Sequence, residues 1–233
     1  GVSPRVRQRL RTTLSLPALP EGVGDPQDTF VITVGGVLNQ GIGLVPLGLN
    51  ATSDENGDAV PEPLTLRMAP PHSGLSAGQY AVVALTFNPD DLGADLQNGV
   101  DLPDNYSIVL WQGSDIPADL DLGQNAFLAL PQGQYNAPGR EFSQTLVEGA
   151  DLFRVTFTGP EGSWEVWLSA DTDAFTLPTP PEGFQDWSAG AEIRIDAFAT
   201  RGVGLSAIAQ TQGTGLRRLS QISDGFSRAV INP

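Results

Sequence analysis

Cysteine is absent, so the chain has no disulfide, no thiolate metal site and no thiol nucleophile, and packing alone must hold it together. Lysine is absent too. All twelve basic residues are arginine, which excludes a Schiff-base lysine and the lysine of a phosphate-binding loop. One histidine, His72, is too few for a histidine metal centre. No run approaches the roughly 18–20 consecutive apolar residues that cross a bilayer. What remains is rich in turn formers. Twenty-seven glycines and nineteen prolines disfavour helix interiors and suit an all-β chain.

The net charge of −15 opposes binding to nucleic acid or anionic lipid, which call for a basic surface. The charge is unevenly placed. Residues 1–11 carry Arg5, Arg7, Arg9 and Arg11 and no acid, which leaves −19 on the rest of the −15 chain. With the Pro and Gly punctuation that follows, residues 1–27 read as an extended arm. Its four arginines are candidate partner-binding residues, either strapped onto a partner or tethering the chain to a membrane anchor upstream. An arginine-only, cysteine-free, acidic composition suggests a bacterial protein exported to the periplasm or cell surface. Starting at Gly, the chain looks like a mature polypeptide.

Beyond the arm, short β-branched or alternating stretches recur between turn signals, at 29–34, 63–69, 79–87 and 105–112, then at 141–147, 173–177 and 191–200. The clearest is DLFRVTFTGPEGSWEVWLSA, 151–170. With GPEG as the loop, Phe157 should pair with Trp164, Val155 with Val166 and Phe153 with Leu168 on one face. Arg154 and Trp167 then share the other face, expected to be open, where they are candidate partner-binding residues. Residues 203–210 are expected to return as a further strand, and 213–233 to form a tail with a short helical turn.

From about 140 to 212, the order LFRVTFTG, SWEVWLSA, DAFTLP, AEIRIDAFA and GLSAIAQ resembles a fibronectin type III or immunoglobulin-like domain of bacterial surface proteins. The tyrosine that such folds place before the late alternating strand is replaced by Ala191, whereas Tyr80 offers a corner-like match in the earlier block. The resemblance implies a binding or structural module. The expected organisation is therefore two tandem β-sandwiches, at 28–122 and 123–212, after the arm 1–27 and before the tail 213–233.

Candidate chemistry is sparse. GLSAG (74–78) fits a nucleophile-elbow pattern around Ser76, but a loop precedes it, a strand follows it, and His72 lies on the wrong side. Asp54, Asn56 and Asp58 resemble half a calcium loop, with Ala59 and Thr65 where glycine and glutamate belong. An Asn-Gly turn is the simpler reading. Between Arg67 and Arg140 no arginine or lysine occurs while aspartates accumulate. Asp90, Asp91, Asp95, Asp101 and Asp104 are candidate calcium ligands; the same loops could equally be an acidic docking face or simply solvated. Asn50 and Asn105 begin glycosylation sequons. Trp111, Trp167 and Trp187 are possible sugar platforms. The expectation is a non-enzymatic accessory subunit, without a cofactor unless calcium, that binds a protein or larger assembly. The alternative is a carbohydrate-binding module.

Overall fold

A computed structural model describes residues 9–25, 28–39, 43–71, 78–91, 103–159, 162–179, 182, 192–200, 203, 205 and 223–231. The architecture is all-β. In chain order the strands are β1 (Leu10–Ser15), β2 (Phe30–Asn39), β3 (Gly43–Ser53), β4 (Leu64–Met68), β5 (Gln79–Phe87), β6 (Tyr106–Gly113) and β7 (Asp119–Asp121). They continue as β8 (Gly133–Asn136), β9 (Glu141–Gln144), β10 (Leu152–Gly159), β11 (Gly162–Ser169), β12 (Ala174–Thr176), β13 (Glu192–Thr200) and β14 (Ser223–Ile231).

Eight of them form one sheet in the order β11-β10-β13-β14-β6-β5-β2-β3, and two three-stranded sheets, β4-β1-β7 and β12-β9-β8, accompany it. The large sheet is two similar quartets, β3-β2-β5-β6 and β11-β10-β13-β14, joined where β6 meets β14 antiparallel. Each small sheet packs on one quartet. Leu14 of β1, Leu64, Leu66 and Met68 of β4 and Leu120 of β7 meet Val31, Val82, Ala84 and Val109 in one core. Phe142 of β9 meets Phe153, Val155, Phe157, Ile193 and Ile195 in the other. Both cores therefore lie on the same, near face of the large sheet. The segment between β7 and β8 closes the seam with neighbouring side chains, since Phe127 enters the first core and Leu128 the second. Ser227 Oγ donates to the Ala129 carbonyl at 2.8 Å, fastening that segment to β14.

The hairpin β10–β11 has the register the alternation predicts: Phe157 opposite Trp164, Val155 opposite Val166, Phe153 opposite Leu168 and Arg154 opposite Trp167. Three expectations change. Residues 10–15 of the arm form β1, the central strand of the first small sheet, because Thr12 and Leu14 point inward while Arg11, Thr13 and Ser15 point out. Residues 223–231 of the tail form β14 in the middle of the large sheet, where it satisfies β13 on one side and β6 on the other. The boundary expected near 122 is crossed by that continuous sheet. Of the strand expected at 203–210, only 203 and 205 are described, and neither is in a strand.

The large sheet ends differently at its two edges. At β3, the chain of β4 runs alongside and side chains bridge the gap. Asn50 Nδ2 donates to the Thr65 carbonyl at 2.9 Å and Thr52 Oγ1 to that of Glu62 at 3.3 Å. Gly48 permits the approach, because a Cβ there would collide with the Arg67 carbonyl. At β11, no described strand pairs with the outer edge.

Candidate functional site

The far face of the large sheet carries its own buried layer. Ala81, Val83, Phe87, Tyr106, Ile108, Leu110, Leu152, Phe198 and Phe226 form a third apolar cluster there, with Val203 and Trp167 packed against it. Through this layer runs one cross-strand row fixed by register: Trp167 (β11), Arg154 (β10), Asp196 (β13), Arg228 (β14), Tyr106 (β6), Phe87 (β5) and Phe30 (β2).

Charge within the row is matched. Asp196 is fully buried and takes a guanidinium from each side. Arg154 donates from Nε to Oδ2 at 2.8 Å and also from Nη2 to the same oxygen. Arg228 donates from Nε to Oδ1 at 2.6 Å and from Nη2 to Oδ2 at 3.3 Å. Glu165 Oε2 lies 3.7 Å from Arg154 Nη1 and brings a second negative charge. Aromatic faces fill the remaining solid angle. Arg154 lies 5.4 Å from the Trp167 ring centroid and 5.7 Å from that of Phe198. Arg228 lies 5.5 Å from that of Tyr106 and 5.4 Å from that of Phe226. Burial pushes the Tyr106 phenol above its ordinary value, against the pull of Arg228. Burial also acts against the Arg228 charge, but the Asp196 carboxylate outweighs it and the guanidinium pKa is raised.

The expectation that Arg154 faces an open surface is thus corrected: it is 6% exposed. Period-2 alternation places Arg154 and Trp167 on one face but does not tell whether that face is wet. Here it is covered, and paired charge plus aromatic rings make burial of Arg154 tolerable. Trp167 is half-buried, its ring stacked on Phe198 at 5.6 Å, and its Nε1–H donates to Glu165. It is not a free platform. Trp111 packs against the first core, and Trp187 lies outside the described residues.

The far face is less well covered at its other end. Phe30 is 45% and Leu49 68% exposed, and with Ile32, Val34 and Ala51 they make an uncharged strip on β2 and β3. On the outer side of the first small sheet, exposed Arg11 stands directly opposite exposed Arg67, and exposed Arg9 precedes them. Arg5 and Arg7 lie outside the described residues.

Of the calcium candidates, Asp95 and Asp101 lie outside the described residues. Asp90 and Asp91 occupy one 3-10 turn, Asp91 accepts from Asn105 Nδ2 at 3.3 Å, and Asp104 is exposed. Among the described residues, no three His, Cys, Asp or Glu converge as a metal site. The half calcium loop is a turn. The Asp54 carboxylate is buried and accepts the backbone N–H groups of Asn56, Gly57 and Ala59 at 3.1, 2.8 and 2.7 Å. Both sequon asparagines are engaged, Asn50 as the β3 bridge and Asn105 as acceptor of the Val230 N–H at 3.1 Å. His72 and Ser76 lie outside the described residues. Among those residues no helix is long and apolar enough to cross a membrane. Compared with known proteins, the chain matches no family model, no curated protein and no solved structure.

Proposed function

We propose that this chain is a non-catalytic accessory subunit, exported to the periplasm or cell surface, that docks onto another protein through the far face of its large sheet. The observation that carries the reading is the uncharged strip of Phe30, Ile32, Val34, Leu49 and Ala51, on a chain whose net charge is −15. A contiguous apolar patch on such an acidic surface is the signature of a docking surface. The basic patch of Arg9, Arg11 and Arg67 supplies a second, electrostatic contact, continued in sequence by Arg5 and Arg7. The strand order β12-β9-β8 against β11-β10-β13-β14 supports a fibronectin type III-like sandwich for the second block.

The test is a photo-reactive residue at position 49, compared with one at the exposed Glu148 of the second block, in cells that make the protein. One protein crosslinked from position 49 and not from 148, and lost on Phe30→Asp, is expected. Equal, diffuse labelling from both positions would sink the reading. The arm is tested by deleting residues 1–8, because a longer cut removes β1.

A second reading, carbohydrate binding, is favoured by one observation. A groove of about 480 Å³ lies over β8, β9 and β12, where polar Gln134, Asn136, Glu141, Ser143 and Thr176 alternate with Tyr135, Phe142, Ala174 and Phe175. Amides, hydroxyls and one carboxylate suit a neutral polyol. Glycan-array binding lost on Asn136→Ala would support it, and a blank array would count against it.

A further inference from the structure

We propose that the outer edge of β11 is a strand-docking site for an extended segment of a partner protein in which basic and apolar residues alternate. The inference rests on the reading of the chain as a protein-binding subunit, and it places a further contact at the opposite end of the sheet from the Phe30–Leu49 strip.

Backbone groups come first. Gly159 and Gly162 close the β10–β11 hairpin around two residues. In such a hairpin the closing pair exchanges hydrogen bonds, so bonded and non-bonded pairs alternate from there. Ser163, Glu165, Trp167 and Ser169 then stand in non-bonded pairs and turn their N–H and C=O groups away from β10. Ser169 shows the consequence, since its carbonyl accepts the Thr172 N–H at 3.1 Å outside the sheet. The outward groups of Ser163, Glu165 and Trp167 meet no described strand. Proteins usually blunt such an edge with charge, proline or a covering element. The β3 edge is covered through Asn50 and Thr52, whereas β11 carries one charged residue, Glu165, and no proline.

Side chains set the chemistry of the occupant. On the far face, the edge presents the exposed carboxylate of Glu165, which suits cationic side chains by charge. On the near face it presents half-buried Trp164 and Val166, which suit apolar ones. Exposed Asp171 and Asp173 extend the acidic character past the strand end, and no arginine or lysine occurs between Arg154 and Arg194. Pairing with a second copy is disfavoured, because it would bring two −15 bodies together. A strand alternating basic and apolar residues satisfies both faces and the backbone ladder at once.

The experiment titrates the full chain with a short synthetic peptide alternating Arg and Val, read by tryptophan emission and calorimetry, beside a Glu–Val peptide of equal length. The Arg–Val peptide is expected to bind, more weakly as salt is raised, and the Glu–Val peptide is not. Ser163→Pro removes one outward N–H while sparing the β10 ladder, and should weaken binding roughly three- to tenfold. Glu165→Gln should act similarly, and unchanged melting curves would show that both variants fold. Leu49→Asp should leave peptide binding intact, and Ser163→Pro should leave crosslinking from position 49 intact, so the two contacts fail separately. Absence of Arg–Val binding, equal binding to both variants, or a dimer of the chain that Ser163→Pro dissolves would each overturn the proposal.

Discussion

Removing the carboxylate at position 196 would leave two guanidinium groups facing each other across a fully buried site. Asp196→Asn is therefore expected to cost about 3–5 kcal/mol, because breaking a buried ion pair strands the remaining charge. Replacing the set with apolar residues of similar volume (Arg154→Met, Asp196→Leu, Arg228→Met) should recover most of that loss. Urea unfolding of both variants checks this; a triple variant as weak as the single one would show that charge, not volume, holds the layer. Tyr106 gives this layer a pH signature. Its folded pKa lies above the ordinary 10.0, so from about that pH upward the folded chain holds a proton that the unfolded chain has lost. Its contribution is fully present below pH 10.0 and declines as pH rises toward the folded value. The chain has neither lysine nor cysteine to titrate in the same range. Tyr106→Phe should flatten the alkaline fall in stability, measured by denaturant unfolding across that range; an unchanged slope would count against burial of the phenol.

Single strands were readable from the sequence where alternation is long and both neighbours are of the same kind. In β10–β11, seven residues on each side of a Gly-Pro-Glu-Gly loop fix a register, because a slip by one turns every apolar side chain over. Strand β13 was legible for the same reason, and β5 as a continuous β-branched and apolar run buried on both faces. Strands β1, β8 and β14 were not. β1 is six residues behind a run of arginines, and β8 is only four residues, GQYN, without a β-branched one. β14, SDGFSRAVI, hides its alternation because small Gly225, Ser227 and Ala229 face the seam while Phe226 and Arg228 face the far layer. The buried row was invisible for a related reason: its members come from seven strands and meet only through register. Turn chemistry was legible in part. Asp54 was visible as a turn residue, though not as the acceptor of three backbone N–H groups. Asp54→Ala should cost about 2–3 kcal/mol by leaving those donors unsatisfied, whereas Asp58→Ala, on the exposed side of the same turn, should cost under about 0.5 kcal/mol. Thermal melts of the pair separate a structural turn from a calcium loop, since added calcium should rescue neither.

Whether the molecule behaves as one body or two follows from β14. In a tandem of independent sandwiches, each block would keep its own edge strands and melt alone. Here the last strand pairs with β13 through Ile193–Thr200 and with β6 through Tyr106–Val109, so it completes the second quartet and covers the β6 edge of the first. The same strand supplies Phe226 to the far layer, Arg228 to Asp196, and the Ser227 hydroxyl that holds the crossing segment. Phe127 and Leu128 bind the two near-face cores to one another from the opposite side. A perturbation at the seam should consequently reach both cores. Leu128→Ala, expected to cost about 2–5 kcal/mol, should lower a single calorimetric transition rather than split off a second one. Ending the chain at residue 222 should do more. It would bare the edges of β6 and β13 and strip Asp196 of one partner, so the shortened chain is expected to aggregate instead of folding as a monomer. A shortened chain that kept a cooperative transition for residues 9–122 would show that the first quartet stands alone. The continuous sheet would then be an association of two domains rather than the unit that folds.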